Sequence, residues 1–239
     1  MERNASVAEW IPPSQQNWQG RTEWFFNRTY TDTYEQWYEG RYKRAEIGQK
    51  KLVGQLLTQD KRVGRLLEFG CGTGRFTRWW QELGLEAVGA DLSPLMLSHA
   101  RRLFDGDLVW ADAHHMPFRA HSFDALAFIT TFEYYKDPIQ VLREAARVAR
   151  YGIVMGMINR NSPKFFRRRI QQFFGKNPFY ITATFYTPAR LIRLIHQALA
   201  GRKYSVAWRC TGLPAWFPWE QWRWPIGDFF GLYIQFQDV

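Results

Sequence analysis

Between Leu66 and Ile158, short apolar runs alternate with longer stretches whose apolar residues recur at helical spacing. The short runs predict strands near 65–70, 86–91, 107–111, 123–129 and 152–158. The stretches between them predict helices near 74–83, 94–104 and 138–149. Pro94 fits the first turn of one of these helices, with Ser93 as its N-cap. Strand and helix in strict alternation are the pattern of a parallel, doubly wound α/β sheet.

The flanks differ. Residues 1 to about 30 are rich in Gln, Asn, Trp and Pro without periodicity, which predicts an extended or partly ordered arm. From Tyr34 to Leu57 the pattern is helical, with Tyr38, Tyr42, Ala45, Leu52, Leu56 and Leu57 inward. Residues 159–186 interrupt the alternation, and their centre, Lys164 to Lys176, predicts a basic amphipathic helix with Phe166, Ile170, Phe173 and Phe174 on one stripe. Thr187 and Pro188 open a last helix, Ala189 to Ala200. Tyr204–Cys210 and Gly231–Gln237 then predict an antiparallel strand pair, which brings the expected strands to seven. An aromatic loop containing Trp216, Trp219, Trp222 and Trp224 separates the pair.

The chemistry concentrates where the first predicted strand ends. Glu68-Phe69-Gly70-Cys71-Gly72-Thr73-Gly74 runs from that strand into a helical pattern. Glycines at such a turn let the backbone approach a ligand, because no Cβ stands in the way. A dinucleotide fingerprint spaces its glycines G-x-G-x-x-G, whereas Gly70, Gly72 and Gly74 read G-x-G-x-G. That spacing disfavours a nicotinamide dehydrogenase. Glu86 to Asp91 reads as a second strand ending in a carboxylate, a group suited to accept from both hydroxyls of a ribose.

This order of motifs resembles the class I S-adenosylmethionine (SAM) methyltransferases, and within them the UbiE-like small-molecule enzymes of the methyltransferase type 11 family. The glycine triplet resembles their motif I. Asp91-Leu92-Ser93-Pro94-Leu95-Met96-Leu97 resembles D-x-S-x-x-M-L, and Asp112-Ala113 stands where the family's acidic residue meets the adenine amino group. Met116-Pro117-Phe118, Ser122-Phe123-Asp124 and Phe132-Glu133-Tyr134-Tyr135-Lys136-Asp137-Pro138 resemble its L-P-F, S-F-D and L-E-H-V-x-D-P signatures. One departure is Ala149-Arg150-Tyr151-Gly152, a shorter turn where the family writes K-P-G-G.

The resemblance implies a Rossmann-like, seven-stranded, doubly wound sheet with an N-terminal helical lid and a cap inserted between strand five and the last helix. It divides one domain into arm and lid helix (1–58), SAM-binding core (59–158), cap (159–186) and C-terminal helix and strand pair (187–239). It also implies SAM as cofactor, S-adenosylhomocysteine (SAH) as product, and no metal. Gly70, Cys71, Gly72 and Gly74 would pass under the methionine end, and Glu68 would brace that loop or meet the ammonium through water. Asp91 would hold the ribose, Leu92 and Met96 would sandwich the adenine, and Asp112 and Ala113 would read its edge. Ile129, Thr130 and Thr131 would face the methionine moiety and the reacting methyl, with Tyr38 and Tyr42 closing from the lid. Glu133 and Tyr134 are the catalytic candidates. Glu133 either takes a proton from a hydroxyl acceptor or braces the following turn. His114 and His115 are adjacent on a loop with no further ligand motif, which argues against a metal.

Composition refines the acceptor and the compartment. The net charge of +10 favours anionic partners, and twelve Trp, eleven Tyr and nineteen Phe call for an aromatic pocket or an apolar docking surface. Phe166, Phe173, Trp216 and Trp219 are the candidate acceptor contacts, pointing to a small aromatic or lipophilic acceptor. The basic helix is expected to serve as a lid over the site or as a peripheral contact with an anionic membrane. An RNA methyltransferase and a SAM-binding protein without chemistry are the competing readings. RNA is disfavoured because no N-P-P-Y motif and no catalytic cysteine pair occur. Two cysteines, one in the glycine loop, together with the lack of a signal-peptide pattern and of a long apolar run, predict a cytoplasmic protein. They also argue against arsenite methylation.

Overall fold

In the computed structural model, residues 23–39, 42–162, 164–174, 178–212 and 220–237 are described. The strands are β1 (Arg65–Phe69), β2 (Glu86–Asp91), β3 (Leu108–Trp110), β4 (Phe123–Ile129), β5 (Ala149–Ile158), β6 (Tyr204–Thr211) and β7 (Phe229–Phe236). They form one sheet in the order β3-β2-β1-β4-β5-β7-β6. The first five run parallel, and β7 lies antiparallel between β5 and β6. The helices are α1 (Arg28–Glu39), α2 (Lys43–Leu57), α3 (Arg75–Glu82), α4 (Pro94–Leu103), α5 (Pro138–Val148), α6 (Phe165–Phe173), α7 (Pro178–Ile181) and α8 (Pro188–Ala198).

Successive strand residues point to opposite faces, and here both faces are buried. Leu67, Leu126 and Ile153 enter one core layer with Val141 and Leu142 of α5 and Leu191 and Ile195 of α8. Their chain neighbours Leu66, Ala127 and Val154 enter a second layer with Leu52 and Leu56 of α2 and Trp80 of α3. The central strands are therefore apolar at nearly every position. Chain order reverses between β1 and β4, and strands leaving such a point open a crevice beyond their C-terminal ends.

Three expectations are corrected. The single helix over 34–57 is two: α1 begins at Arg28 and ends at Glu39, and α2 begins at Lys43. Gly40, a poor helix former, stands in the sequence between them. Strand β5 begins at Ala149 rather than 152, because Ala149 is both the extended C-cap of α5 and the first strand residue. The cap helix spans Phe165–Phe173, shorter than 164–176, and is followed by the short α7. The other expected elements are present within a few residues of their expected ends. Among the described residues, no helix is long and apolar enough to cross a membrane.

Candidate active site

The crevice holds a cavity of about 670 Å³, within the range of small-ligand sites. Its floor is the turn after β1. Gly70, Gly72 and Gly74 all have positive φ, at 74°, 57° and 77°. At Gly70 space matters as well as conformation, since a Cβ there would lie 1.9 Å from Thr131 Oγ1. The amides of Gly70 and Cys71 both donate to the carbonyl of Ala90, at 2.7 and 3.0 Å, binding the turn to β2.

Asp91 closes β2 as a buried carboxylate. Its Oδ2 accepts from Gly72 N at 2.8 Å and its Oδ1 from Ser93 N at 2.8 Å. Burial raises its pKa to about 6, and those backbone donors work against the rise. Glu68, one turn beneath, accepts from the Thr77 hydroxyl. Burial pushes it up to about 8, with the Asp91 charge adding to the rise, so at neutral pH Asp91 is the anion of the two. Ser93 caps α4 by accepting from Met96 N, and its hydroxyl donates to the carbonyl of Phe25.

Asp112 follows β3 and is held by a residue that carried no role in the sequence reading. His114 donates its backbone N–H to Asp112 Oδ1 at 2.9 Å, and its Nδ1 lies 2.7 Å from the same oxygen. Its Nε2 accepts from Asp137 N at 3.3 Å, which assigns the ring proton to Nδ1. The side chain of His114 therefore orients the carboxylate. An aspartate answered two residues on is visible in sequence as a local turn pattern.

The opposite contribution comes from β4. Thr130 has φ 51°, unusual for a β-branched residue, and its amide donates to Gly156 O at 2.7 Å. Such strain is kept where a site requires it.

An aromatic group completes the cavity. Trp24 stacks on Tyr34, with ring centroids 5.3 Å apart at 13°, and meets Phe179 edge-on at 4.6 Å. Tyr134 packs edge-on against Phe25 at 5.9 Å and donates its hydroxyl to Phe179 O at 2.6 Å. Trp24, Phe25 and Tyr34 come from residues read as an aperiodic arm or a generic helix, so only the aromatic count signalled them. Their position is fixed by Glu35 of α1, which accepts from Arg75 at 2.5 Å and from the Thr73 hydroxyl, both in or beside the glycine turn. Arg75 also binds Glu46 of α2 at 2.6 Å.

Of the sequence-derived residues, the cavity brings together Glu68, Gly70, Cys71, Gly72, Asp91, Leu92, Met96, Asp112, Ala113, Ile129, Thr130, Thr131 and Tyr134. Gly74 does not line it and instead begins α3. Half-buried Tyr42 stands outside it. Glu133 is buried and also does not line the cavity. Its Oε1 accepts from Ile158 N at 3.0 Å and its backbone carbonyl accepts from Thr184 N at 2.7 Å, joining the tip of β4 to the segment after β5. Its Oε2 has no hydrogen-bond partner among the described residues, and burial raises its pKa to about 7. Phe173 is corrected: it is 84% exposed and does not line the cavity, and Phe165 and Phe179 supply the packed aromatic contacts of this segment. The side chains of Tyr38 and Phe166, and Trp216 and Trp219 entirely, lie outside the described residues.

The strand order, with a glycine-floored crevice at its reversal, one carboxylate at the tip of β2 and another after β3, is that of the class I SAM-dependent methyltransferase fold. Residues 67–155, the strand-and-helix core that carries the glycine turn and both carboxylates, match the methyltransferase domain family. A SAM-dependent methyltransferase structure from Thermotoga maritima superposes with a TM-score of 0.72 at 23% identity, covering 89% of this chain and 99% of the other, a likeness of fold. An uncharacterized protein of Methanocaldococcus jannaschii is 28% identical over 170 residues, 70% of this chain and 77% of that protein. The demethylmenaquinone methyltransferase of Thermotoga maritima is 36% identical over 107 residues, 42% of this chain but only 47% of that enzyme. The match thus spans less than half of that named enzyme.

Proposed function

We propose that the protein transfers the methyl group of SAM to a small aromatic or lipophilic acceptor by direct in-line displacement. The residues present suit the cofactor. Gly70 and Gly72 keep the floor free of Cβ atoms, and Asp91 and Asp112 offer two separate carboxylates, each already oriented by backbone donors. When bound, SAM would supply a methyl group activated by its sulfonium, which would take the acceptor's electron pair while the carbon–sulfur pair returns to sulfur to give SAH.

The protein's part is alignment and exclusion of water. Asp91 accepts from the ribose hydroxyls, Leu92 and Met96 flank the adenine, and Asp112, steadied by His114, reads its amino edge with Ala113. Ile129, Thr130 and Thr131 face the methyl. Trp24, Phe25, Tyr34 and Tyr134 hold the acceptor by ring contacts, and Phe179 keeps that wall upright. Glu133 braces the floor rather than taking a proton, since its carboxyl is turned to the Ile158 amide.

The observation that carries the acceptor class is the aromatic wall in the same cavity as the two carboxylates. The test is incubation with methyl-labelled SAM and cell extract, followed by separation of organic-soluble, aqueous, protein and RNA fractions. Label in the organic fraction, lost in Asp91→Ala, is expected. Label confined to RNA would sink the small-acceptor reading, and SAH binding without label in any fraction would sink turnover of these acceptors.

A further inference from the structure

The segment that packs behind the aromatic wall has two apolar faces, and only one is used. On the inner face Phe165 packs on Phe185 at 5.5 Å, in a small cluster with Tyr180 and Ala183 that leans on Tyr134. On the outer face Ile170 precedes Phe173 and Phe174 by three and four residues, a stripe that runs off the C-terminal end of α6. They are 41%, 84% and 64% exposed, and Ile181 of α7 adds a residue 52% exposed. Arg167 and Arg169, both exposed, lie on the same helix. A cluster of large apolar side chains beside cations, on an element already packed by its other side, calls for a partner.

Charge says which kind. Residues 145–219 contain 13 of the 32 lysines and arginines and none of the 22 acidic residues. The net charge of +10 therefore resides wholly in this third of the chain, and the remainder is slightly acidic. Six of these basic residues, and no acidic one, fall within the cap segment 159–186, a local positive charge that favours a negative surface.

We propose that the outer face of α6 and α7 docks in the plane of an anionic lipid bilayer. Phe173, Phe174, Ile170 and Ile181 enter the headgroup boundary and Arg167 and Arg169 meet lipid phosphates. RNA would satisfy the arginines but not the isoleucines. Because the inner face of the same segment borders the aromatic wall, a membrane-dissolved acceptor would arrive at the site it serves. That last step rests on the acceptor class proposed above; the docking does not, since it is read without turnover.

The experiment is co-sedimentation of the full chain with vesicles of phosphatidylcholine alone and of phosphatidylcholine with phosphatidylglycerol, at low and high salt. Phe173→Ser and the double charge reversal Arg167→Glu/Arg169→Glu are compared with wild type. All three positions are exposed, so thermal midpoints and SAH binding are expected to match wild type and certify the fold. Wild type is expected on the phosphatidylglycerol vesicles at least tenfold more tightly than on phosphatidylcholine. Phe173→Ser should weaken that binding by about tenfold, and the charge reversal should abolish it. The proposal is overturned by failure to bind either vesicle, by vesicle binding indifferent to Phe173→Ser, or by tighter binding to a single-stranded RNA oligonucleotide than to anionic vesicles. SAH binding, measured separately by calorimetry, reports on the methyltransferase reading alone.

Discussion

Asp91 and Glu133 are both buried carboxyls with raised pKa values, and their surroundings give them different consequences. The ribose role proposed for Asp91 requires it ionised, and its pKa of about 6 sets where that would fail. Below pH 6, proton and ligand compete for one group, and each further unit should cost tenfold in affinity. SAH titrated calorimetrically should therefore bind about tenfold more weakly at pH 5 than at pH 8, and Asp91→Asn should bind weakly with no such slope. A wild-type affinity flat to pH 5 would remove Asp91 from the ribose site. Glu133 touches no cavity, so its titration acts on folding. Its native pKa of about 7 exceeds the ordinary value of 4.5, so the folded state holds an extra proton between them. Stability is consequently lost as pH rises through this window and the cost is complete above pH 7. Glu133→Gln keeps an acceptor for Ile158 N and abolishes the penalty. Urea unfolding should show the variant more stable than wild type by up to about 3 kcal/mol at pH 8 and equal to it near pH 4.5. Destabilisation of the variant at both pH values would contradict this account.

At the scale of elements, the decisive joint is between α1 and the glycine turn. One carboxylate, Glu35, binds the hydroxyl of Thr73 and the guanidinium of Arg75, so the floor of the cavity and the helix carrying Tyr34 are held as one unit. Arg75 in turn reaches Glu46 of α2. These side chains are largely buried, with Arg75 18% and Glu35 24% exposed, but Gln keeps an acceptor, so about 1 kcal/mol is a fair value for losing the charge. Glu35→Gln should leave the global unfolding midpoint nearly unchanged, weaken SAH binding about fivefold, and speed protease cleavage within 28–39. Unchanged cleavage with unchanged affinity would show that α1 is held by its aromatic contacts alone. Neither α1 as a separate helix nor this joint was legible beforehand. The apolar period of 34–57 carries through the join, and a contact between residues 38 to 40 positions apart leaves no periodic trace.

For the whole molecule, the parallel core, the glycine turn and the carboxylates of β2 and β3 were readable because each is a local demand. A positive φ needs glycine, a helix start needs a cap, and strands buried on both faces need unbroken apolar runs. These are met within a few residues of one another, so Gly70, Asp91 and Asp112 could be named from the chain itself. The sheet order and the cavity wall were decided in three dimensions. Phe179 meets Trp24 and Tyr34 from more than a hundred residues along the chain, through packing that no local pattern encodes. The same holds for the direction of Phe173. Its stripe was evident, but which face of an amphipathic segment turns inward depends on competition with Phe165 and Phe179 for the one apolar surface available, and that is settled only when the segment folds onto the sheet.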